Sequence, residues 1–342
     1  MSGFPQFRFD GAPQERGRAY GAQLRERIRA TYSLYAETLF AGSPLSMAEI
    51  ERRAEHVRAL IADFSSDYVA ELDAVAAGAE MPRWQIYALN ARTEILNAPL
   101  AECTALYFQD TAILGQNWDW VSALEELAVL VTWGLPDGST VLAFTEPGML
   151  GKIGLNDRGI GVCLNFLVSA HELDGLPVHI LTRALLDCGT LDEARAMLKR
   201  AGFGKSSHFL VADDGGNCCS VEFADGDRFE AAPQDGVLLH TNHCIAPAAV
   251  DKAALIPTTV ERYDQGREWL GRTSKRDLET MKRILLDDSE GPTSINSSYH
   301  PEEVLNNQDV GTCATILMDL GARQMQIKKG PGRDGEFAGI AL

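Results

Sequence analysis

The sequence predicts an α+β protein with antiparallel sheets arranged in layers, and three observations carry that prediction. Up to about residue 100, apolar side chains recur at three- and four-residue steps, the period of an amphipathic helix. After Pro99 the texture changes to short β-type runs separated by Gly, Asp and Asn turn signals. Helical stretches then come in groups between runs of strands, which argues against βαβ winding.

In the helical part, "QERGRAYGAQLRERIRATYSLYAETLF" sets Tyr20, Leu24, Ile28, Tyr32 and Tyr35 on one face. "SMAEIERRAEHVRALIADF" opens with Ser46 and has Glu49 three residues later, a capping box. "DYVAELDAVAAGAEM" and "PRWQIYALNARTEILNA" read as two further helices, the second with Pro82 in its first turn. The β-type runs are "TALYF", "AILGQNW", "LAVLVTWGL", "TVLAFTE", "GIGVCLNFLV", "HFLVADD", "CSVEFA" and "GVLLHTNH", with hairpin turns near Asp214 and Asp225. Helices return at "PVHILTRALLDC", "LDEARAMLKRA", "TTVERYDQGREWLGR" and "KRDLETMKRILLDD", and "GTCATILMDLGARQMQIKKGPG" reads as a closing hairpin. Ala246 to Pro257 and Ser289 to Asp309 are the loose regions, and the sequence carries no repeat or low-complexity segment.

Composition narrows the function classes. With 342 residues the chain can hold one large domain or two ordinary ones. A formal charge of −17 argues against a nucleic-acid partner, since phosphate is bound by excess Lys and Arg. No apolar run approaches the ~18 residues of a membrane span, and the Arg-studded N-terminus has no apolar core of a secretory signal. Seven cysteines, an odd number without a CxxC, read as reduced thiols in a cytoplasmic setting. Cys218 and Cys219 fall on opposite faces of one strand and read as structural.

Candidate site residues cluster around the change of texture. Cys103 stands at the helix-to-strand boundary in "LAECTALYF"; a buried small hydrophobe and a presented functional thiol both fit it. Asp119 in "GQNWDW" is brought back toward the start of the preceding strand by a hairpin, where a carboxylate would orient a proton beside a thiol or amine. In "HTNH", His240 and His243 would point to opposite faces and so cannot chelate one metal; no metal is expected. Asn242 in the same motif reads equally as a turn residue or an oxyanion donor. Asn165 in "GVCLNFL" is a buried amide that needs partners. No phosphate-binding glycine motif occurs, so no nucleotide cofactor is expected.

Together "ECTAL", "GQNWDW", "EPGMLGKIGLNDRGIGVCLNF", "LPVHILTRALLD" and "LHTNHC" resemble, in order and spacing, the isopenicillin N acyltransferase family. This is the acyl-CoA:6-aminopenicillanate acyltransferase group of thiol N-terminal-nucleophile (Ntn) hydrolases, to which insect β-alanyl-dopamine hydrolases are also similar. The likeness runs from about Gly17 to about Thr259 and resumes weakly near the C-terminus. It implies an αββα four-layer sandwich with two antiparallel sheets between helical layers. It also implies an inactive precursor cut between Glu102 and Cys103, giving a helical small subunit, 1–102, and a large subunit, 103–342, that stay together as a heterodimer. Cys103 matches the family nucleophile, Asp119 its active-site acid and Asn242 its oxyanion-hole amide; Asn165 and His243 are candidate supports. The substrate implied is a small-molecule linear amide or acyl thioester, with acyl-CoA as a co-substrate rather than a cofactor, and a homo-oligomer is compatible with this.

The sequence departs from the family pattern twice. Glu102 stands where Gly commonly precedes the cut, and Ser297 in "SINSSYHP" stands where a late Arg lies by the nucleophile. Without that Arg, leaving amines that are neutral or cationic are expected to be preferred, unless Arg92 or Lys152 replaces it. Two rival readings remain: a papain-like thiol amidase using Cys103, His243 and Asn242 in an intact chain, and an inactive relative serving as a binding protein.

Overall fold

The computed structural model describes residues 3–96, 103–168, 174–202, 204–224, 226–247, 258–305 and 307–342. Glu102, Asp225 and nearly all of the loose segment after Ala246 lie outside them. The chain begins with a short strand, β1 (Gln6–Asp10), and then the helices α1 (Pro13–Gln23), α2 (Arg25–Leu34), α3 (Met47–Phe64), α4 (Ser66–Ala79), α5 (Arg83–Asn90) and α6 (Arg92–Leu96). The expected capping box is present in part: Ser46 Oγ accepts from the Glu49 N–H at 3.2 Å. The long first helix is interrupted at Leu24 (φ −103°, ψ 16°) and ends in a π-helical stretch, Tyr35–Phe40. Its first part has little apolar character of its own. Gly17 and Gly21 instead press on the backbone of α4, where added Cβ atoms would stand 2.4 and 2.2 Å from the Glu71 and Val75 carbonyl oxygens.

Eight strands form the first sheet, in the order β1, β4 (Val129–Gly134), β5 (Thr140–Thr145), β6 (Ile153–Asn156), β7 (Gly161–Phe166), β8 (Ser207–Ala212), β9 (Cys218–Ala224) and β10 (Asp227–Glu230). The second sheet runs β11 (Val237–His240), β2 (Cys103–Phe108), β3 (Ile113–Val121), β13 (Gln308–Asp319), β14 (Gln324–Lys329) and β15 (Ala338–Ala341), with β12 (His300–Glu302) beside β13. Among the described residues, all pairs are antiparallel except β1 with β4. That parallel edge is a detail beyond the expected two antiparallel sheets and mainly helical N-terminal segment. Strands β6, β12 and β15 likewise go beyond what the sequence pattern marks.

The layers follow from side-chain alternation. Cys103, Ala105 and Tyr107 on β2 join the core between the sheets, whereas Leu106 and Phe108 join a second core under α9 (Thr258–Arg272) and α10 (Leu278–Leu285). Helices α7 (Val178–Leu186) and α8 (Leu191–Arg200) cover the outer face of the first sheet. The result is an αββα four-layer sandwich, with the N-terminal helices packed against the β4–β6 region. Tyr20, for example, lies edge-on to Trp133 of β4 and donates to the Met149 carbonyl.

Candidate active site

Cys103 is the first residue of β2, 3 % exposed, and its side chain faces the space between the sheets. Its backbone is clamped by three residues that lie far away in the chain. The Cys103 N–H donates to Asn242 Oδ1 at 2.8 Å. Its carbonyl accepts from Asn165 Nδ2 at 3.1 Å and from Arg262 Nη1 at 2.9 Å. Arg262 Nη2 also donates to Asn242 Oδ1 (2.9 Å), and Asn242 Nδ2 donates to the Phe166 carbonyl (3.0 Å). These partners fix the amide's orientation, because Oδ1 meets two donors and Nδ2 meets an acceptor. Nδ2 carries a second hydrogen beyond the one Phe166 takes.

Asp119 lies near the far end of the β2–β3 hairpin, one residue past Trp118, which pairs with Cys103. On β13 a bulge shifts the pairing with β3: Thr312 faces Asp119 while Ala314 faces Trp118, and Cys313 between them has no opposite residue. Bulges re-aim neighbouring side chains, and here Thr312 Oγ1 donates to Asp119 Oδ1 at 2.6 Å. Ser297 stands one step further back. Its N–H donates to Thr312 Oγ1 (2.9 Å), while its own hydroxyl donates to the Pro292 carbonyl (2.9 Å). Ser297 thus reaches the site through Thr312 and Asp119, not by pointing at Cys103.

Burial pushes the Cys103 thiol up to about 11, and the charge of Asp119 adds to this. The Asp119 N–H, Lys152 and Arg262 pull the other way by favouring the thiolate.

A buried charge cluster faces the same inter-sheet space. Glu146, just after β5, accepts from Arg92 Nη2 (2.7 Å), Lys152 Nζ (2.6 Å) and the Tyr35 hydroxyl (2.6 Å). Burial opposes its ionisation, but the two cations outweigh it and hold the carboxyl well below the usual range. Lys152 Nζ lies 3.8 Å from the ring centroid of Trp118, and the Arg92 guanidinium lies 4.7 Å from that of Trp120. Burial brings Lys152 down to about 8, opposed by Glu146. His179 of α7 is fully buried nearby, and neither ring nitrogen has a hydrogen-bond partner among the described residues. Burial, then Arg92 and Lys152, hold it neutral.

The structure therefore gathers Cys103, Asp119, Asn165 and Asn242 around one strand end. His243 lies to the side: Nδ1 is 3.2 Å from the Thr241 hydroxyl and 3.1 Å from that of Thr259, and the ring packs edge-on to Tyr263. Glu102 is outside the described residues. Sequence reasoning missed Arg262, which supplies a guanidinium at Cys103 although Ser297 does not. A signal was available, because Thr259, Arg262, Gly266 and Leu270 form the buried stripe of α9, and an Arg on such a stripe needs buried partners.

A family model described as "Acyl-coenzyme A:6-aminopenicillanic acid acyl-transferase" matches residues 108–334. A curated relative, the 40 kDa form of acyl-coenzyme A:6-aminopenicillanic-acid-acyltransferase from Emericella nidulans, is 27% identical over 329 residues, covering 94% of this chain and 91% of the relative. Among solved structures, a mutant of conjugated bile acid hydrolase from Clostridium perfringens aligns with a TM-score of 0.48 at 13% identity, over 71% of this chain and 92% of that one. The Caenorhabditis elegans ortholog of N-acylethanolamine-hydrolyzing acid amidase aligns with a TM-score of 0.48 at 16% identity, over 64% and 93%. On the sequence match, the chain belongs to the acyl-coenzyme A:6-aminopenicillanic acid acyl-transferase family.

Proposed function

We propose that the protein is a self-processing Ntn amidohydrolase or acyltransferase that acts on a linear amide or thioester through an S-acyl intermediate on Cys103. The observation that carries this reading is the clamp on the Cys103 backbone, where Asn242, Asn165 and Arg262 hold the nitrogen and carbonyl of one residue. A nucleophile whose own nitrogen becomes the base needs that nitrogen fixed relative to its sulfur.

In the precursor, the Cys103 sulfur attacks the Glu102 carbonyl carbon, and the thiol proton passes to the departing Cys103 nitrogen. The resulting thioester is hydrolysed by water, leaving a Glu102 carboxylate and a free α-amine on Cys103. An α-amine has a reference pKa of about 7.7–8.0, so near neutral pH it can take the thiol proton. The thiolate then attacks the substrate carbonyl, and the second hydrogen on Asn242 Nδ2 is offered to the oxyanion. The α-ammonium returns its proton to the leaving amine, or to the leaving thiol of a thioester. Water, deprotonated by the α-amine, then releases the acid. Transfer replaces hydrolysis when an amine reaches the thioester first, and acyl-CoA is a candidate donor.

A preference for neutral or cationic leaving amines requires that no cation stand beside the nucleophile. Arg262 and Lys152, whose charges favour the Cys103 thiolate, stand against that premise, so we assign carboxylated amines to the accepted substrates. Comparing N-acyl amines with N-acyl amino acids that carry the same acyl group tests this; a higher kcat/KM for the uncharged series would restore the preference for uncharged amines. Intact-mass spectrometry of fresh protein tests the mechanism class. Two chains meeting at 102/103 are expected, and an intact chain that turns over substrate would overturn the proposal.

A further inference from the structure

Behind Asn165 lies a buried chain of polar groups in which the donors and acceptors can be accounted for atom by atom. It starts at Glu222 of β9, whose carboxylate accepts from the Ile245 N–H (2.6 Å), the Ala246 N–H (3.1 Å) and His240 Nε2 (2.9 Å). Although burial opposes its ionisation, these donors bring the Glu222 carboxyl below its ordinary value. His240 Nδ1 faces the Thr241 carbonyl at 2.7 Å.

The His208 ring of β8 stacks on His240, with centroids 3.5 Å apart and planes 9° apart. Burial, and then the His240 ring stacked on it, disfavour a charge on His208, so it is held neutral. A neutral imidazole has one donor and one acceptor. Asn165 gives its Nδ2 hydrogen to the Cys103 carbonyl, so its Oδ1 is the atom 3.0 Å from His208 Nδ1. The hydrogen of His208 is then on Nδ1, and bare Nε2 accepts from the Ser220 hydroxyl at 2.8 Å.

We infer that His208 is a positioning residue for the nucleophile, holding the Asn165 amide in the one orientation that donates to the Cys103 carbonyl. The inference rests on the reading of Cys103 as nucleophile. A flipped Asn165 would set oxygen against the Cys103 carbonyl and leave Arg262 alone on it. The same histidine pair steadies the other clamp, since His240 bonds the carbonyl of Thr241, the residue before Asn242.

The test replaces His208 in the full chain and follows the first-order rate of self-cutting, which needs no substrate. His208→Asn keeps an amide donor near the Nδ1 position, whereas His208→Leu keeps bulk without a donor. Expected is a rate near the parent's for His208→Asn and a fall of about 10²-fold for His208→Leu, the scale of a misplaced reacting group. A folded His208→Leu that cuts at the parent rate, or a folded His208→Asn as slow as His208→Leu, would overturn the inference. Nitrogen-15 NMR of histidine-labelled Cys103→Ala protein gives an answer without either variant or any cutting. Hydrogen on Nδ1 of His208 is expected; hydrogen on Nε2 alone overturns the inference. A parent chain that is never cut would instead count against the processing mechanism, and the tautomer would still report on His208.

Discussion

Two buried polar networks flank Cys103, and they are built on opposite principles. The one around Glu222 closes on itself: the ring nitrogens of His208 and His240 all meet partners, and the carboxylate faces donors alone. The one around Glu146 does not close. One carboxylate serves two cations, and Arg92 Nε and both nitrogens of His179 have no partner among the described residues. A satisfied network has little left to offer a ligand and acts by fixing geometry. A network with surplus positive charge acts on whatever charge develops beside it. The comparison therefore separates residues that should change how fast the thiol reacts from residues that should change when it ionises.

The largest expected effect lies at the point both networks serve. Cys103→Ala should remain one folded chain without turnover, and efficient cutting of that variant would implicate an outside protease. Next comes Asn242→Ala, with a loss of about 10²–10³ in turnover if its amide is an oxyanion donor. The structure adds a stability cost, because Arg262 Nη2 and the Phe166 carbonyl would each lose a partner, at about 1–3 kcal/mol per buried group. Full activity in that variant would leave Asn242 a merely structural residue.

A smaller effect draws the line between the networks directly. Lys152 favours the Cys103 thiolate and the Asp119 charge disfavours it. Lys152→Met should therefore raise the pH at which Cys103 is alkylated by iodoacetamide, and Asp119→Asn should lower it. His208→Leu should leave that midpoint in place. A midpoint that moves with His208 and not with Lys152 would reverse the assignment.

The smallest effect concerns stability against pH. Burial, with neighbouring positive groups, keeps His179 and His208 neutral to well below their ordinary range. Below about pH 6.5 the unfolded chain takes up protons that these two do not, so their contribution to stability falls as pH falls. Glu94 acts in the opposite sense. Burial raises it to about 7, so the folded state keeps a proton that the unfolded state has lost, and stability falls as pH rises through that range. Glu94→Gln should therefore steepen the loss of stability between about pH 6.5 and about pH 5. An unchanged or shallower slope in denaturant titrations would contradict this sign.

Much of the candidate site was legible in outline, its positions from local chemistry and its roles from the family resemblance. Cys103 stands where the helical period gives way to strands, Asp119 ends a run that must fold back on it, and Asn165 interrupts an apolar strand. Arg262 was not legible from its neighbours, since its partners Cys103 and Asn242 are remote in sequence and only the packing of α9 brings them together. The long N-terminal helix reads as one because its apolar spacing continues through Leu24, where the backbone leaves helical geometry. β1 is silent for a related reason. A five-residue edge strand pairing in parallel with residues 130–134 has no hairpin turn to mark it.

That edge strand has a consequence for a chain severed before Cys103. Gln6 to Asp10 pair with Leu130 to Gly134, Arg92 reaches Glu146, and Glu71 lies between Arg16 and Arg183, so both pieces share one interior. After such a cut, their association would be the cohesion of a folded core, not the equilibrium of a complex. Dilution would not part them, and gel filtration would show one particle where a denaturing gel shows two bands. Once unfolded, the halves would have to find each other by collision, so recovery that was unimolecular before the cut would become concentration-dependent after it.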